Sequence, residues 1–446
     1  MGTLFSPPLT SLLNCRSSDR LGRHWQTGAR GTGGAVSAAG GFGLLGMVCE
    51  SPHNIEARIA VVRAMTDRPF GVNLIPTGTD PALLDAELDA CLDAHVAAMC
   101  FWEVRADLIA RAKAAVARVL YQAGSLDEAL AAEQAGADAI IAQGVEAGGH
   151  VKGRIGSMSL LPEVVSRVRV SVVASGGIAN GAGLAVALVL GASGVHCGMV
   201  FLVADESYAH EYHKQRIVDA HGGETVRTDI YAITRWPAGS PARVLRNSVT
   251  DEVRDHPLGN DPYALLGETV ASDAQGPIVK YETVSLLRGA SSDLEKMALF
   301  AGESSALLVE ARVPAREIVE TMVREAGRAL DRVQRMRGNA QSWVRNVTCP
   351  SYQRRRPRPP SIHRSVPETD SPDSVPLAPP LPLARPHRSA CASYRGPRQR
   401  TRAPPNTASA FRPPIPLPTD TQCAMHRHAS CRPHRSRGRS AFRAAR

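Results

Sequence analysis

The stretch from about residue 40 to residue 198 alternates between two kinds of segment, and this alternation restricts the fold more than any other feature. Short apolar runs rich in β-branched residues are each followed by a longer stretch with helical spacing, such as Pro81–Leu92. Continuous apolar runs are typical of parallel strands covered on both faces. The unit repeats about every 25 residues, which favours a (β/α)8 TIM barrel over an open sheet. The predicted strands are Leu44–Val48, Phe70–Ile75, Ala97–Phe101, Arg118–Gln122, Ala139–Gln143, Val170–Ala174 and Gly194–Cys197.

A TIM barrel needs eight strands, and the pattern supplies seven. The first strand should precede the helix that ends at about 35–39, but residues 17–34 have little strand character. We therefore predict an atypical N-terminus whose first barrel strand is degenerate or missing. The predicted organisation is an N-terminal segment 1–30, a barrel 31–204, a lid and C-terminal helices 205–337, and a tail 338–446.

The segment after the barrel loses the alternation. Residues 205–290 are interpreted as irregular and polar, and helices are predicted again at Asp293–Phe300 and Ala315–Arg337. An excursion of this length is well suited to cover the C-terminal mouth of a barrel as a lid.

The basic charge of the chain belongs to its last quarter. Residues 341–446 hold 20 arginines, no lysine and 4 acidic residues, whereas the whole chain has a net charge of +10, so the first 340 residues carry about −6. The tail also holds 19 of the 32 prolines from residue 338 onward, and such a segment cannot bury enough apolar surface to fold. We interpret it as disordered or as the product of a shifted reading frame. Nucleic-acid binding is disfavoured because the folded part is acidic and the tail lacks interleaved aromatic residues.

The sequence gives little support for disulfides, secretion, a membrane span or a metal site. Nine cysteines without a Cys-x-x-Cys pair indicate reduced thiols, and no convincing signal peptide or membrane span is present, so a cytoplasmic protein is predicted. A cluster of Cys and His residues in the tail lacks the pairing of a zinc knuckle, so no metal is predicted. That cluster comprises Cys423, His426, His428, Cys431 and His434.

A glycine pattern near residue 41 imitates a dinucleotide-binding fingerprint. Gly41, Gly43 and Gly46 match G-x-G-x-x-G, but they follow a helical stretch and open a strand, the reverse of the required order. We predict a helix C-cap and a tight turn instead.

The strongest functional pattern follows the strand Ala139–Gln143. A Gly-rich loop begins at Gly144 and leads through Gly149 to His150. In a barrel this is the catalytic end of a strand, where small residues let a ligand approach and a histidine can exchange a proton near neutral pH. The sequence alone also permits an incidental surface histidine.

A second pattern predicts an anion site. One strand ends in Ser175-Gly176-Gly177, and the next ends just before Gly198-Met199. Two successive Gly-bearing strand ends are typical of the phosphate site formed after strands 7 and 8 of a TIM barrel, although ligand-free tight turns remain an alternative. Asn73, at another strand end, is equally suited to bind a planar heterocycle or to cap a turn.

These segments together resemble the nitronate monooxygenase family, formerly called 2-nitropropane dioxygenases. The resemblance extends from about Ala35 to about Leu330. The segments that carry it are AAGGFGLLGMV from residue 38, GVNL at 71–74, QGVEAGGH at 143–150, ASGGIANGAGLAVALVLGASGV at 174–195 and RVLRNS at 243–248.

The resemblance implies an FMN-dependent oxidoreductase that converts alkyl nitronates and O2 to carbonyl compounds and nitrite, a nitroalkane-detoxifying activity. His150 would be the catalytic base. The resemblance assigns the flavin phosphate to Gly176, Gly177 and Gly198, and the flavin ring to the vicinity of Asn73, Gln143 and Gly144. The remaining predicted cofactor-binding residues are Gly149, Ser175 and Met199. The oligomeric state is left open.

Two positions depart from the family pattern. The Pro-Met motif that normally ends the first strand is absent from residues 15–35, and Met199 occupies a position that is usually Thr. An FMN-dependent enoyl-acyl-carrier-protein reductase and an inactive or mispredicted paralogue are the alternative interpretations.

Overall fold

Parallel strands form the frame of the protein in a computed structural model of the chain. The structure describes residues 31–232, 236, 239–261, 268–273, 276–308 and 312–338, together with residues 9, 12–13 and 19–20. The strands of the main sheet are β1 (Asp19–Arg20), β2 (Gly43–Gly46), β3 (Phe70–Leu74), β4 (Ala98–Phe101), β5 (Arg118–Ala123), β6 (Ala139–Gln143), β8 (Ser171–Ser175) and β9 (Gly194–His196). Their spatial order is β1-β9-β8-β6-β5-β4-β3-β2, and every pairing is parallel.

This curled parallel sheet confirms the TIM-barrel prediction. The strands β2 to β4 and β6 are buried at every position, because helices cover their outer face and the packed barrel interior covers the other. The helices are α1 (Thr32–Ala38), α2 (Pro52–Met65), α3 (Pro81–Asp93), α4 (Ala106–Ala114), α5 (Leu126–Gln134), α6 (Ser157–Val165), α7 (Gly181–Val189), α8 (Met199–Leu202), α9 (Glu211–Asp219), α10 (Ser248–Asp251) and α11 (Ala315–Gly338).

Polar caps explain where several outer helices begin. The Asp80 side chain accepts hydrogen bonds from the first-turn N–H groups of α3, and Pro81 follows it at the first helical position. Ser125 and Asn180 cap α5 and α7 in the same way. Each cap satisfies backbone donors that a helix leaves unpaired at its start, so the sequence sets these boundaries locally.

The position of the first barrel strand is filled by two residues. Asp19 and Arg20 pair in parallel with Val195 and His196 of β9. Among the described residues, no pairing joins β1 to β2, which are the two ends of the hydrogen-bonded order. The described part of this first strand is therefore much shorter than its neighbours.

The G-x-G-x-x-G segment has the predicted structural role. Helix α1 ends before Gly40, whose φ is 103°, and the N–H groups of Gly40 and Gly41 bond to Ser37 and Val36 carbonyls. This is a Schellman C-cap, which requires a residue that tolerates the left-handed region. Strand β2 begins directly afterwards at Gly43, so the segment is a helix stop and a turn.

The interpretation of residues 205–290 as irregular was wrong. This part contains α9 and two antiparallel strands, β10 (Thr225–Thr228) and β11 (Ala242–Leu245). Strand β11 also pairs with β7 (Gly149–His150), which belongs to the loop after β6. The remaining strands, β12 (Thr269–Asp273), β13 (Gly276–Val279) and β14 (Ser291–Ser292), form a separate small sheet.

The helix predicted at Asp293–Phe300 was also wrong. Only a 3-10 turn, Leu294–Lys296, forms there. The following residues are extended because the Leu299 carbonyl accepts from Leu245 N–H and Phe300 bridges Val244. Pairing with β11 overrides the local helical pattern. The helix predicted at Ala315–Arg337 is confirmed as α11. Among the described residues, no helix is long and apolar enough to cross a membrane. The tail, with its Cys and His cluster, lies outside the described residues.

A buried histidine on α9 makes the stability of this fold depend on pH. Burial lowers the pKa of His213 from 6.5 to about 4. Its Nε2–H donates to the Phe300 carbonyl at 3.0 Å, so the neutral ring fastens the segment after β11. Between these two pKa values the unfolded chain binds a proton that the folded chain does not, so stability falls as the pH drops through this window.

We predict that His213→Gln removes this contribution. Wild type should lose about 2 kcal/mol more than the variant when urea unfolding is compared at pH 7.5 and pH 5. The comparison with a variant is necessary because burial raises the pKa of the Glu87 carboxyl to about 8, which changes stability in the opposite direction. Exposed His221→Gln is the control and should behave as wild type; an identical response of both variants would show that His213 titrates normally.

Candidate active site

A cavity of about 900 Å³, including space open to solvent, lies at the carboxyl ends of the barrel strands. Its lining includes residues at or just beyond the ends of five strands, β3, β4, β6, β8 and β9. These five residues are Ile75, Trp102, Gln143, Ser175 and His196. The carboxyl-terminal face is where TIM-barrel enzymes place their active sites.

The loop after β6 brings His150 to the wall of this cavity. The Gln143 side chain holds the loop from the inside: its amide nitrogen donates to the His150 carbonyl at 3.1 Å, and its amide oxygen accepts from Lys152 N–H at 3.2 Å. His150 then pairs with Ala242 of β11, and the adjacent Val151 N–H donates to the Pro241 carbonyl. The histidine is thus fixed by both the barrel and the segment that follows it.

The two residues before His150, Gly148 and Gly149, must be glycine for different physical reasons. A Cβ on Gly148 would lie 2.6 Å from the Gly302 nitrogen, so only glycine allows the segment after Phe300 to approach. Gly149 has a φ of 75°, which other residues rarely adopt. Together they let the chain turn sharply enough to present His150.

Glu146 closes the base of the same loop. Both of its carboxylate oxygens accept from the Ser157 N–H, at 2.9 and 3.0 Å, and one also accepts from the Ser157 hydroxyl. A carboxylate at this place satisfies donors at the start of α6 and interacts favourably with the helix dipole.

Two cations, the buried Arg243 and the half-buried Lys152, fasten the loop to its surroundings. The Arg243 guanidinium donates twice to the Val145 carbonyl, at 3.1 and 2.9 Å, and pairs with Glu303 at 2.9 Å. The Lys152 ammonium donates to the Trp102 carbonyl at 2.5 Å and to the Tyr121 hydroxyl at 2.8 Å. The loop that carries His150 is therefore held by charge-assisted hydrogen bonds on both sides.

A glycine cradle borders the other part of the lining. Gly176 and Gly177 have φ values of 93° and 73°, and both line the cavity with Gly198 and Met199. Within the described part of the chain, the N–H groups of Gly176 and Gly177 donate to no protein acceptor. Backbone donors arranged in this way can bind an anion. The Met199 sulfur accepts from Gly302 N–H at 3.3 Å, so its side chain links the cradle to the later segment.

The structure brings eight of the ten predicted site residues together around the cavity. They are His150, Gln143, Gly149, Ser175, Gly176, Gly177, Gly198 and Met199. Asn73 and Gly144 are not in the lining. The Asn73 amide is fully buried and donates to the Cys100 carbonyl at 2.9 Å, and Gly144 N–H donates to the Ser175 carbonyl at 2.8 Å, so both join neighbouring strands.

Several lining residues were not predicted from the sequence. His196 is buried at the end of β9, where its Nδ1 lies 3.0 Å from the Ser175 hydroxyl oxygen. Its position at a strand end was a usable signal. Trp236 and Phe300 come from the later segment and stand beside His150. Trp236 lay in an aromatic stretch that the sequence pattern alone does not connect to the barrel.

A barrel with a cavity of this kind at its carboxyl face defines a (β/α)8-barrel enzyme. The model of the nitronate monooxygenase family matches residues 77–325. A probable nitronate monooxygenase of Staphylococcus saprophyticus is 31% identical over 276 residues, which cover 50% of this chain and 76% of that protein. The chain belongs to the nitronate monooxygenase family of oxidoreductases.

Solved structures agree with this assignment. FabK from Thermotoga maritima is 28% identical with a TM-score of 0.62, and the match covers 74% of this chain and 98% of that one. Nitroalkane oxidase from Streptomyces ansochromogenes is 28% identical with a TM-score of 0.60, over 72% of this chain and 99% of that one. The fold is thus similar over nearly the whole length of both neighbours.

We predict that Arg243→Met destabilises the fold by about 2–3 kcal/mol, because it removes charge-assisted hydrogen bonds and leaves the Val145 carbonyl without these donors. Arg254→Met is the matched control, since Arg254 forms an exposed ion pair with Asp251 that should contribute at most about 1 kcal/mol. Urea unfolding at pH 7.5 measures both. Equal losses in the two variants would contradict the anchoring role of Arg243.

Proposed function

We propose that this protein is an FMN-dependent monooxygenase that oxidises alkyl nitronates with O2. In the overall reaction two nitronates and one dioxygen give two carbonyl compounds and two nitrite ions. The single observation that carries the proposal is the placement of His150 in the same cavity as the Gly176–Gly177 cradle. A base and an anion cradle in one cavity are what a nitronate-oxidising flavoenzyme requires.

The lining residues fit FMN. The phosphate would accept hydrogen bonds from the N–H groups of Gly176 and Gly177, with Gly198 beside them, and the flavin ring would occupy the space near Gln143. Bound FMN would supply the electron transfer between the organic substrate and dioxygen, and the protein would orient the reactants and provide the base. The cradle would bind the phosphate group that FMN has and riboflavin lacks.

His150 would act on the carbon next to the nitro group. A neutral imidazole can remove that proton from a nitroalkane, and the resulting imidazolium can hold the nitronate anion by a charge-assisted hydrogen bond. The fixed carbonyl of His150, bound by Gln143, keeps the ring at a constant position in the wall. A nitronate supplied as the anion needs only the second of these two roles.

We predict that His150→Asn lowers oxygen uptake with freshly dissolved neutral 1-nitropropane by a factor of about 100 or more, because this substrate must first lose a proton and a general base typically contributes 10²–10⁴ in rate. Bound FMN, measured by its visible absorption, should remain at the wild-type level. Oxygen consumption and nitrite release give the rate. NAD(P)H-driven reduction of an enoyl thioester without nitronate-dependent oxygen uptake would contradict the proposal and support a reductase.

We predict that Gly177→Ala weakens FMN binding by about tenfold and leaves the weaker binding of riboflavin almost unchanged, because the strain of a left-handed alanine displaces the phosphate-binding N–H groups. Gly289→Ala is the matched control: Gly289 also has a positive φ, 96°, and its added Cβ would contact nothing within 4 Å. Flavin fluorescence quenching measures both ligands. An equal loss for FMN and riboflavin would place the phosphate elsewhere.

A further inference from the structure

An aromatic wall, defined here as Trp102, Trp236 and Phe300, surrounds the His150 ring in the cavity. The Trp236 indole is stacked on the imidazole, with ring centroids 3.8 Å apart and an angle of 13° between the planes. The rings of Trp102 and Trp236 form a T-shaped pair with centroids 5.3 Å apart, and the ring centroids of Phe300 and His150 are 6.0 Å apart. Each of the three side chains is less than 10% exposed, and all line the cavity.

The wall is built from three separate elements, and each is fixed. Trp102 follows β4, and its carbonyl is bound by the Lys152 ammonium, which also lies 5.3 Å above its ring. The Phe300 carbonyl accepts from buried His213. The backbone N–H of Trp236 donates to the Ala232 carbonyl at 3.3 Å, and the Trp236 side chain packs with Val48 and Ile75. Each of the three aromatic residues is therefore held by contacts of its own.

The stack has a direct chemical consequence for His150. A parallel indole at van der Waals distance fixes the plane of the imidazole and so the direction of its ring nitrogens. The negative face of an indole also stabilises a cation above it, which favours the imidazolium that forms when the base takes a proton. Trp236 contacts His150 and not the reacting atoms, so it is a positioning residue.

The lining also discriminates between substituents. The wall and Ile75 offer an apolar surface beside His150. Among the described lining residues there is no lysine or arginine. An apolar substituent gains from contact with the aromatic rings, and a carboxylated one would lose its hydration without gaining a lysine or arginine partner from the described lining residues.

We infer that Trp236 positions His150 and, with Trp102 and Phe300, selects nitronates whose carbon substituent is apolar and preferably aromatic. The inference rests on the proposed function, since it specifies the substrate class of that same site. It assigns a role to three side chains that the sequence did not connect to catalysis.

Planar carboxylates that imitate nitronates test the wall without turnover. Phenylacetate has the shape of phenylnitromethane nitronate, and succinate has that of propionate-3-nitronate. Binding to the FMN-loaded protein is followed by the change in flavin absorption and by tryptophan fluorescence. We expect phenylacetate to bind at least about tenfold more tightly than succinate, as expected for one aromatic contact and one avoided buried charge.

Three variants separate positioning from general destabilisation. Trp236→Leu should weaken phenylacetate about tenfold and reduce the selectivity, whereas Trp236→Phe, which keeps an aromatic face, should restore most of both. Tyr212→Leu, on α9 and outside the cavity lining, should leave both affinities unchanged. Circular dichroism and FMN content establish that each variant is folded.

The outcomes distinguish the inference from the function on which it rests. Equal affinities for the two carboxylates, or selectivity that Trp236→Leu leaves intact, would overturn the inference even if nitronates are oxidised. The expected selectivity and its loss in Trp236→Leu, without turnover of either nitronate, would support the aromatic wall and overturn the proposed function. Faster oxidation of phenylnitromethane nitronate than of propionate-3-nitronate, reversed or abolished in Trp236→Leu, supports both.

Discussion

The two-residue pairing between Gly149–His150 and Ala242–Arg243 is the interaction on which the site depends. It joins a loop at the mouth of the barrel to a strand that lies almost a hundred residues later. Because successive residues of a strand point to opposite faces, this pairing sets the direction of the His150 side chain. It also places Arg243 beside Gly149, where its guanidinium reaches the Val145 carbonyl and closes the loop.

The later segment therefore completes the site rather than merely covering it. Its β11 strand fixes His150, its bridge to Phe300 brings one aromatic ring to the wall, and Trp236 supplies another. The Met199 sulfur and Gly302 N–H connect this segment to the glycine cradle. A chain cut after Met199 would keep the cradle residues and Trp102, but it would lose the strand that fixes His150 and two of the three rings of the aromatic wall.

The sequence predicted those parts of the structure that local chemistry determines. Seven strands, the end of α1 at Gly40 and the loop carrying His150 all follow from apolar runs, caps and glycines whose causes lie within a few residues. Prediction failed where pairing is long-range: β11 pairs with β7, and the extended Met297–Phe300 pairs with β11, so both depend on partners far along the chain that no local pattern reports. Trp236 was missed for the same reason, because only the fold brings it to the cavity, whereas His196 stood near the end of a predicted strand and could have been found. Asn73 is the opposite case: it was predicted to bind the cofactor because it is polar and lies at a strand end, but its side chain donates to the Cys100 carbonyl of the neighbouring strand.

A single structure can test the proposal that the barrel mouth binds FMN with its phosphate on the glycine cradle and its ring beside His150. The most direct measurement is a crystal structure of the protein purified with its natural cofactor. We expect FMN, with phosphate oxygens within hydrogen-bond distance of the Gly176 and Gly177 nitrogens and the reactive part of the flavin in the same cavity as the His150 imidazole. A protein without flavin, or a flavin whose phosphate lies away from these glycines, would contradict it.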